Sequence, residues 1–255
     1  MKPTISILGC GWLGIPLAVE LIKAGYPTKG STTSQIKLTE LAELKINPYL
    51  IDLYDREDRT EFLKADILVI AVPHKDIDNF QFLVSQIHAS DIDKVIFISS
   101  TSVYPNLNGE VTEETNTLDT ALAKIESIFC SSSLFKTTVL RFAGLFGGDR
   151  KPGYFFPNGI KIKNPEGFVN LIHLEDCIAI IKTLIEKNIW GEIFNACADT
   201  HPTRREFYTK EMKGVGRKPP EFDEVKPSEF KVVSNNKLKK HVNYRFKHPD
   251  LMNYR

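Results

Sequence analysis

Residues 4–25, which read TISILGCGWLGIPLAVELIKAG, decide the fold of this chain. The first six of them predict a buried strand, and those from position 12 onward place apolar side chains at helical spacing. Between the strand and the helix, Gly9, Gly11 and Gly14 fit the pattern G-x-G-x-x-G. A glycine turn that joins a strand to a helix in this way is typical of βαβ units that bind dinucleotides.

Each glycine of this turn has its own physical role. Gly9 would allow the tight turn, Gly11 would let the backbone approach a pyrophosphate, and Gly14 would let the helix pack close to the sheet. The N–H groups and the dipole at the start of the helix favour an anion there. The alternative is a glycine turn that binds nothing, but the flanking strand and helix favour a cofactor site. The residues predicted to bind the cofactor in this turn are Gly9, Cys10, Gly11, Trp12, Leu13 and Gly14.

Short apolar runs alternate with helical periods over about the first 145 residues, a pattern of α/β domains. The continuous apolar run DILVIAVP (66–73) is best explained by burial on both faces of a parallel sheet. We therefore predict an α/β, doubly wound parallel-sheet Rossmann fold. Strands are expected at 4–9, 26–32, 48–53, 66–73, 94–99 and 137–144, and helices at 12–25, 34–45, 76–89 and 118–131.

The pattern loosens from Gly147 onward, where GGDRKPGYFFPNG predicts a long loop. We expect residues 1–148 to form the NAD(P)-binding Rossmann domain. Residues 149–255 are expected to be a mixed region that completes the Rossmann sheet. Thr203 and Glu206 fit the T-x-x-E pattern of a capping box and predict the start of a helix.

Composition and charge exclude several classes of protein. The net charge of +1 comes from charges spread along the chain, which argues against bulk electrostatic binding to nucleic acid or to a membrane surface. No apolar run reaches about 18 residues, so we expect no membrane span. The four cysteines lie far apart without metal-ligand spacing, so no metal site is predicted and a reduced intracellular chain is expected. With no signal peptide at the N-terminus, we expect a cytoplasmic protein.

The choice between NADP and NAD depends on the residues after the second strand. NAD sites usually carry Asp or Glu about 20 residues beyond the glycine turn, where that side chain accepts from the ribose hydroxyls. Here the chain has Ser31, Thr32 and Thr33, and the first acidic residue is Glu40. Hydroxyl groups can donate to a 2′-phosphate, although an ordinary loop and helix cap would explain them too. We favour NADP, with NAD possible; Lys29 or Lys37 would add positive charge.

A run of hydroxyl-bearing residues follows another predicted strand, in the stretch FISSTSVYP (97–105). Ligands of open α/β sheets bind beyond the carboxyl ends of the strands. We therefore expect the ends of this strand and of strand 66–73 to line the cofactor crevice. The residues expected there are Ala71, Val72, Pro73 and Ser99.

Five motifs along the chain together resemble the NAD-dependent epimerase/dehydratase family of extended short-chain dehydrogenase/reductases. The resemblance implies a Rossmann domain with bound NAD(P) and a small C-terminal substrate lobe formed by residues 149–255. The substrate in this family is often a nucleotide sugar. The resemblance also implies possible homodimers through the predicted helices 76–89 and 118–131. The motifs are GCGWLG (9–14), ISSTSVYP (98–105), LRFAGLFGG (140–148), VNLIHLEDCIAII (169–181) and VVSNNKLKK (232–240).

The chain departs from that family at the catalytic residues. The resemblance implies a catalytic role for Ser100, which would assist the tyrosine of a Y-x-x-x-K motif, the general acid/base. Alignment on Lys124 puts Thr120 at the tyrosine position, and alignment on Glu126 puts a leucine there. The tyrosine is missing in both. Gly144 also stands where the family often has an asparagine near the nucleotide diphosphate, which weakens the expectation of a nucleotide-sugar substrate.

Three other residues are candidates for the missing acid/base, and each has a structural alternative. His74 follows a predicted strand end, but it could be a surface histidine at a helix start. Tyr104 could simply pack in the core, and Tyr154 could be a hydrophobic lid contact. Two hypotheses follow. The chain is an NADP-dependent oxidoreductase or epimerase on a small or sugar-like substrate, or it is a non-catalytic sensor or regulatory protein that binds the dinucleotide.

Overall fold

A computed structural model describes residues 1–224 and 229–254 of the chain. Seven strands form one central sheet in the order β11-β7-β5-β4-β1-β2-β3, and the other six form three two-stranded pairs. The strands are β1 (Ile5–Leu8), β2 (Thr28–Thr32), β3 (Asn47–Leu50), β4 (Ile67–Ile70), β5 (Lys94–Ser100), β6 (Gly109–Val111), β7 (Lys136–Phe142), β8 (Gly144–Phe146), β9 (Ile162–Lys163), β10 (Leu171–His173), β11 (Ile193–Ala196), β12 (Phe222–Asp223) and β13 (Lys231–Val233).

Within the described residues, eight helices and two short 3₁₀ turns accompany these strands. In the part of the chain that the structure describes, no helix is both long and apolar enough to cross a membrane. The 3₁₀ turns are Thr101–Val103 and Pro152–Tyr154. The α-helices are α1 (Gly14–Lys23), α2 (Lys37–Glu43), α3 (Thr60–Leu63), α4 (Ile77–His88), α5 (Ala121–Cys130), α6 (Leu174–Lys187), α7 (Arg204–Gly214) and α8 (Asn236–Val242).

The central sheet confirms the predicted Rossmann fold. Strand β1 pairs in parallel with β2 on one side and β4 on the other, so that Ile7 lies opposite Gly30 and Val69. Strand β3 continues the parallel sheet beyond β2, and β5 continues it beyond β4. The strand order therefore reverses between β1 and β4, which is the point where doubly wound sheets bind their ligands.

All four residues of β1 and all four of β4 are buried, as the continuous apolar runs predicted. An aromatic cluster packs beside them. The rings of Phe97 and Phe129 stack with their centroids 5.2 Å apart, and Phe80 meets both edge-on at 5.9 and 5.8 Å. Replacing one such ring by alanine costs about 3–5 kcal/mol. The sheet that carries the glycine turn is thus anchored in a packed core.

One predicted strand, 137–144, is two elements in the structure. Strand β7 ends at Phe142, and Gly144 begins the separate strand β8, which pairs with β10. A Cβ atom on residue 144 would lie 2.5 Å from the end of the Leu171 side chain, so a larger residue would force that side chain to move. The predicted boundary was wrong because the change of sheet depends on a distant partner.

The chain divides into two compact units that interleave along the sequence. Residues 178–193, which lie in the second predicted domain, group with the first unit, so no single cut at residue 148 separates the two. Unit 1 comprises Met1–Ser99, Asp119–Leu140 and Ile178–Ile193, and unit 2 comprises Ser100–Leu118, Arg141–Cys177 and the residues from Phe194 onward.

Unit 2 has a hydrophobic core of its own, in which Phe146, Ile162 and Phe207 are fully buried. Its three strand pairs, β8–β10, β9–β12 and β6–β13, are all parallel. The capping box predicted at the start of α7 is confirmed: the Thr203 side chain accepts the backbone N–H of Glu206, and the Glu206 carboxylate accepts that of Thr203.

Candidate functional site

The turn between β1 and α1 leaves open space at one glycine and none at the other two. Gly9 has a positive φ of 101°, and a Cβ atom there would lie 2.8 Å from the carbonyl oxygen of Ala71. A Cβ atom on Gly14 would overlap the carbonyl oxygen of Gly9. At Gly11, by contrast, a Cβ atom would have no atom of the described residues within 4 Å. Gly9 and Gly14 are thus required by packing, whereas Gly11 faces a space that a phosphate group can occupy.

The start of α1 adds to the attraction for an anion. Leu13 stands at the N-cap position, and its apolar side chain makes no capping hydrogen bond. The first turn of this helix has no acidic residue. The helix dipole therefore acts beside Gly11 without a neutralising carboxylate from the first turn.

Strand β2 supports the glycine turn from the side. The Ser31 hydroxyl accepts the N–H of Gly9 at 3.0 Å, and the Ser31 carbonyl accepts the N–H of Cys10 at 2.7 Å. Ser31 is only 1% exposed and Thr32 8%, and the Thr32 hydroxyl accepts the N–H of Ser34. Thr33 is exposed. The Ser31 side chain thus holds the turn in shape and is buried, whereas Thr33 has an exposed hydroxyl; a contact of Ser31 with the cofactor stays a prediction.

Lys29 does not extend toward the end of β2. Its ammonium group donates to the backbone carbonyls of Glu61 and Lys64, at 2.5 and 2.7 Å, and partial burial lowers its pKa. Of the two lysines considered for a phosphate contact, Lys37 remains, exposed at the start of α2.

Cys10, inside the glycine turn, is a packing residue. Its side chain is buried, and burial raises the pKa of the thiol to about 12. A Cβ atom on Gly30 would lie 2.5 Å from the Cys10 sulfur, so this thiol occupies the place of a side chain on β2. A protonated, enclosed thiol is a weak nucleophile.

The carboxyl ends of β4 and β5 carry the other predicted cofactor residues. Ala71 directly follows β4, and its N–H donates to the carbonyl of Leu8. Val72 touches the glycine turn, since a Cβ atom on Gly9 would lie 2.6 Å from its side chain, and Pro73 is exposed beyond it. Within unit 1, Ala71 and Val72 are therefore directly beside the turn.

The hydroxyl pair at the end of β5 has two separate roles. Ser99 is buried, and its hydroxyl donates to the carboxylate of Glu126 on α5. Ser100 is partly exposed, and its hydroxyl accepts the N–H of Ser102, which caps the following 3₁₀ turn. Because the Ser100 oxygen is the acceptor in this bond, its own hydrogen stays available for donation to a ligand.

Helix α5 holds the positions of the missing Y-x-x-x-K motif. Thr120 is the N-cap of this helix, and its hydroxyl accepts the N–H of Ala123 at 3.2 Å. Lys124 is exposed and makes an ion pair with Asp119 at 3.0 Å. Both residues thus have structural roles at the start of the helix, and the catalytic role considered for Lys124 stays a prediction.

Tyr104 lies in a buried polar network of unit 2. Its hydroxyl accepts from the Arg141 guanidinium at 2.6 Å and donates to the Asn195 side-chain oxygen at 2.9 Å. The Glu113 carboxylate accepts the N–H of Asn195 at 2.7 Å. Tyr104 is 1% exposed, and burial raises its pKa. These contacts match the structural alternative considered for Tyr104. The role of Asn195 in this network could not be predicted from the sequence, because Asn195 is 91 residues from Tyr104 in the chain.

His74 and Tyr154 differ in their surroundings. His74 is partly buried between Tyr54 and Phe80, with ring centroids 4.7 and 5.6 Å away, and its Nε2 lies 3.2 Å from the Asn79 amide nitrogen. Tyr154 is 59% exposed and has the Arg217 guanidinium 5.9 Å from its ring centroid. His74 is held by packing, and the exposed Tyr154 is able to contact a ligand. The catalytic role of each stays a prediction.

Unit 2 also contains a cavity of about 320 Å³ that the sequence did not predict. Glu211 is 4% exposed there; its Oε2 accepts from the Tyr254 hydroxyl, and its Oε1 has no hydrogen-bond partner among the described residues. This cavity combines basic side chains with one buried carboxylate, a lining suited to a polar molecule. The residues that line it include Phe146, Gly147, Arg150, Lys151, His173, Glu211 and Tyr254.

Comparison with known proteins finds a relative along the whole length of the chain. The protein YeeZ of Escherichia coli K12 is 33% identical over 265 aligned positions, which cover 96% of both proteins. No family model matches the chain.

Solved structures share the fold at lower identity. A conserved protein of unknown function from Silicibacter pomeroyi DSS has a TM-score of 0.83 at 21% identity and covers 98% of this chain and 95% of its own. UDP-glucuronic acid 4-epimerase from Bacillus cereus, in complex with NAD, has a TM-score of 0.80 at 19% identity, with 100% and 96% covered. A short-chain dehydrogenase/reductase superfamily protein from Agrobacterium tumefaciens with bound NAD has a TM-score of 0.77 at 14% identity, with 95% and 92% covered. The chain therefore has the fold of epimerases and short-chain dehydrogenase/reductases.

Proposed function

The chain belongs to the family of the Escherichia coli protein YeeZ, and from that premise we propose that it is an NADP-dependent oxidoreductase or epimerase that acts on a small or sugar-like substrate. The observation that carries this proposal is the open space beside Gly11, in a turn whose other two glycines are required by packing. Two proteins of the same fold, from Bacillus cereus and Agrobacterium tumefaciens, hold NAD.

The residues of unit 1 fit a dinucleotide. The pyrophosphate would lie against Gly11 and the start of α1, where the backbone can approach closely and the helix dipole favours negative charge. Ala71, Val72 and Pro73 border the same crevice from the end of β4. Ser31 acts indirectly, because its hydroxyl holds the N–H of Gly9 and so the shape of the turn.

The preference for NADP over NAD rests on the residues that follow β2. The exposed hydroxyl of Thr33 and the exposed ammonium of Lys37 supply a donor and a positive charge for a 2′-phosphate. The stretch from Thr33 to Lys37 reads TSQIK and has no carboxylate to accept from a ribose 2′-hydroxyl. A 2′-phosphate would be favoured there over a 2′-hydroxyl.

Bound NADP supplies the acceptance or donation of a hydride, and the side chains of the chain orient the substrate and handle protons. The Ser100 hydroxyl accepts the N–H of Ser102 and keeps its own hydrogen for a substrate oxygen. A serine hydroxyl polarises a carbonyl but does not ionise near pH 7, so a second group must take the proton. His74 and Tyr154 stay the candidates for that group, and Lys124 stays the candidate for the lysine of the missing motif.

A sensor or regulatory protein without turnover is the second candidate function. It is favoured by α5, where Thr120 caps the helix and Lys124 pairs with Asp119 at the positions of the missing motif. Homodimerisation through α4 and α5 would be compatible with both functions.

Calorimetric titration of the purified protein with NADPH and with NADH tests the proposal, after any co-purified nucleotide has been removed. We expect saturable binding of both, with NADPH bound more tightly. No binding of either nucleotide would overturn the assignment of the glycine turn. Binding without oxidation or epimerisation of any sugar nucleotide or small carbonyl substrate would favour the sensor.

A further inference from the structure

Three side chains of unit 2 bring metal-ligating atoms together at a place that the proposed function does not use. A ring nitrogen of His173, a carboxylate oxygen of Glu175 and a ring nitrogen of His248 all lie within 4.8 Å of one another. Among the residues that the structure describes, no other group of three or more His, Cys, Asp or Glu side chains meets this condition. His173 ends β10, Glu175 is in the first turn of α6, and His248 comes from the C-terminal segment.

The hydrogen bonds of His248 determine which of its ring nitrogens carries the hydrogen. Its Nδ1 lies 3.0 Å from the carbonyl oxygen of Tyr254. A carbonyl oxygen only accepts, so Nδ1 carries the hydrogen. In the neutral ring, the lone pair is then on Nε2, which lies 3.3 Å from the Glu175 carboxylate.

His173 has the opposite tautomer. The backbone N–H of Glu175 lies 3.3 Å from His173 Nδ1, which must therefore be the acceptor. Its Nε2 carries the hydrogen and faces Gly147, where a Cβ atom would overlap the ring. The Nε2 of His248 thus faces the Glu175 carboxylate, whereas the Nδ1 of His173 accepts the backbone N–H of the same residue. The two ring centroids are 3.8 Å apart.

The contact between His248 Nε2 and the Glu175 carboxylate is favourable when His248 carries a second proton or when a metal cation lies between the two groups. We propose that His173 Nδ1, His248 Nε2 and the Glu175 carboxylate bind a divalent transition metal ion of the Zn²⁺ class. Two imidazoles and a carboxylate are a ligand set that zinc uses in proteins, with a fourth position left for water. Mg²⁺ and Ca²⁺ prefer an all-oxygen environment, which this group does not offer.

The distances fit such an ion after a small movement. Ligand atoms that bind Zn²⁺ at about 2.0–2.1 Å in a tetrahedron are about 3.4 Å apart. The Glu175–His248 pair already has this separation, at 3.3 Å. His173 completes the set by a rotation that gives up one long hydrogen bond, the 3.3 Å contact with the backbone N–H of Glu175.

The surroundings hold His248 in place. Asp176 is fully buried, and its carboxylate accepts the backbone N–H groups of Lys247 and His248 at 2.7 and 3.0 Å and the hydroxyl of Tyr244 at 2.7 Å. Such outer contacts orient the ligands of metal sites. The Lys247 ammonium lies 4.0 Å from the Glu175 carboxylate, but it is more than half exposed and can turn away into solvent.

The sequence alone did not indicate this site. Glu175 and His248 are 73 residues apart, and the short spacing H-x-E at 173–175 is not by itself a metal motif. The contact between α6 and the C-terminal segment creates the group.

Zinc titration of the metal-stripped full-length protein tests this inference. The titration is done by calorimetry in a Cys130→Ser background, because the exposed thiol of Cys130 would bind zinc on its own. We expect one equivalent of Zn²⁺ to bind, and His248→Gln and Glu175→Gln each to weaken binding by more than about tenfold. His88→Gln, at an exposed histidine far from the group in the chain, is the matched control and should bind as the parent does.

A second measurement guards against a variant that fails to fold. Glu175 is exposed in the first turn of α6, so Glu175→Gln is expected to keep the native circular dichroism spectrum. Zn²⁺ should raise the Tm of the parent and of His88→Gln by mass action, but not that of Glu175→Gln. Absence of zinc binding by the parent would overturn the inference. So would a zinc affinity of Glu175→Gln and His248→Gln equal to that of the parent.

Discussion

At the scale of single residues, the three glycines of the turn have different roles: packing requires Gly9 and Gly14, whereas Gly11 borders the proposed binding site. Gly9 and Gly14 could be predicted from the pattern, and the contacts explain them by the close approach of Ala71 and of the turn itself. The role of Ser31 could not be predicted, because a serine at a strand end reads equally well as a phosphate donor or as an acceptor for a backbone N–H. In the structure, the Ser31 hydroxyl accepts the backbone N–H of Gly9.

Gly11→Val should abolish dinucleotide binding without harm to the fold. Residue 11 does not have a positive φ, and a Cβ atom there would have no atom of the described residues outside its chain neighbours within 4 Å, so we expect the free protein to accommodate valine. In the complex, the same side chain would occupy the pyrophosphate position. We expect the Kd for NADPH to rise about a hundredfold or more, or about 2.7 kcal/mol, with a smaller rise for Gly11→Ala. Unchanged calorimetric affinity in Gly11→Val would contradict the assignment.

Ser31→Ala and Thr33→Ala should have different effects on the two nucleotides. Ser31→Ala leaves the N–H of Gly9 without its acceptor, which costs about 1–2 kcal/mol and weakens NADPH and NADH alike. Thr33→Ala removes an exposed hydroxyl and should weaken NADPH more than NADH, with no loss of stability. The measurement is the ratio of the two Kd values for each variant. An equal ratio in Thr33→Ala and the parent would refute the 2′-phosphate contact.

At the scale of elements, burial explains which parts of the fold the sequence could predict. Strands β1, β4 and β5 are covered by apolar neighbours, so their residues form continuous apolar runs that mark them. The two-residue strands β9 and β12 leave no such run, since a strand this short is defined by its partner and not by its own residues. Helix α1 begins at Gly14, two residues after the predicted start, because residues 10–13 form the turn.

Thr120→Ala should destabilise the protein through the start of α5. The Thr120 hydroxyl accepts the N–H of Ala123, and the loss of such a cap costs about 1 kcal/mol of the free energy of unfolding. Thr120→Ser keeps the acceptor and should stay close to the parent. Denaturant unfolding of both variants, each with unchanged NADPH affinity, is the measurement. A loss of stability of equal size in Thr120→Ser would show that the methyl group, and not the cap, is responsible.

At the scale of the whole molecule, the long-range pairs of unit 2 had no local signal in the sequence. Strand β6 pairs with β13 so that Gly109 lies opposite Lys231, and His173 meets His248 from the other end of the chain. Periodicity records burial of each segment but not its partner, so a Rossmann fold could be predicted while the cavity of unit 2 and the His173–Glu175–His248 group could not. The interleaving of the two units along the chain has the same origin.

Stability should fall as the pH is lowered through the range where a free histidine titrates, and His201 contributes to this fall. Burial lowers the pKa of His201 below its ordinary value of 6.5, against the opposing effect of its hydrogen bond to Val169 and of the nearby Asp199 and Glu110 carboxylates. Below about pH 6.5 the unfolded chain therefore takes up a proton that the folded one does not, so the free energy of unfolding decreases as the pH is lowered.

His201→Gln removes this titration and can keep a donor toward Val169. We expect its Tm to fall less than that of the parent between pH 7.5 and 5.5, by differential scanning calorimetry in buffers of equal ionic strength. His88→Gln, at an exposed histidine, serves as the control and should follow the parent. If the Tm of His201→Gln has the same pH dependence as the parent, His201 is not held neutral in the folded protein. The hydrogen-bonded carboxylates of Glu206 and Asp250 do not act in this range, because their pKa values are lowered from 4.5 and 3.8 and their contribution to stability is lost only at lower pH.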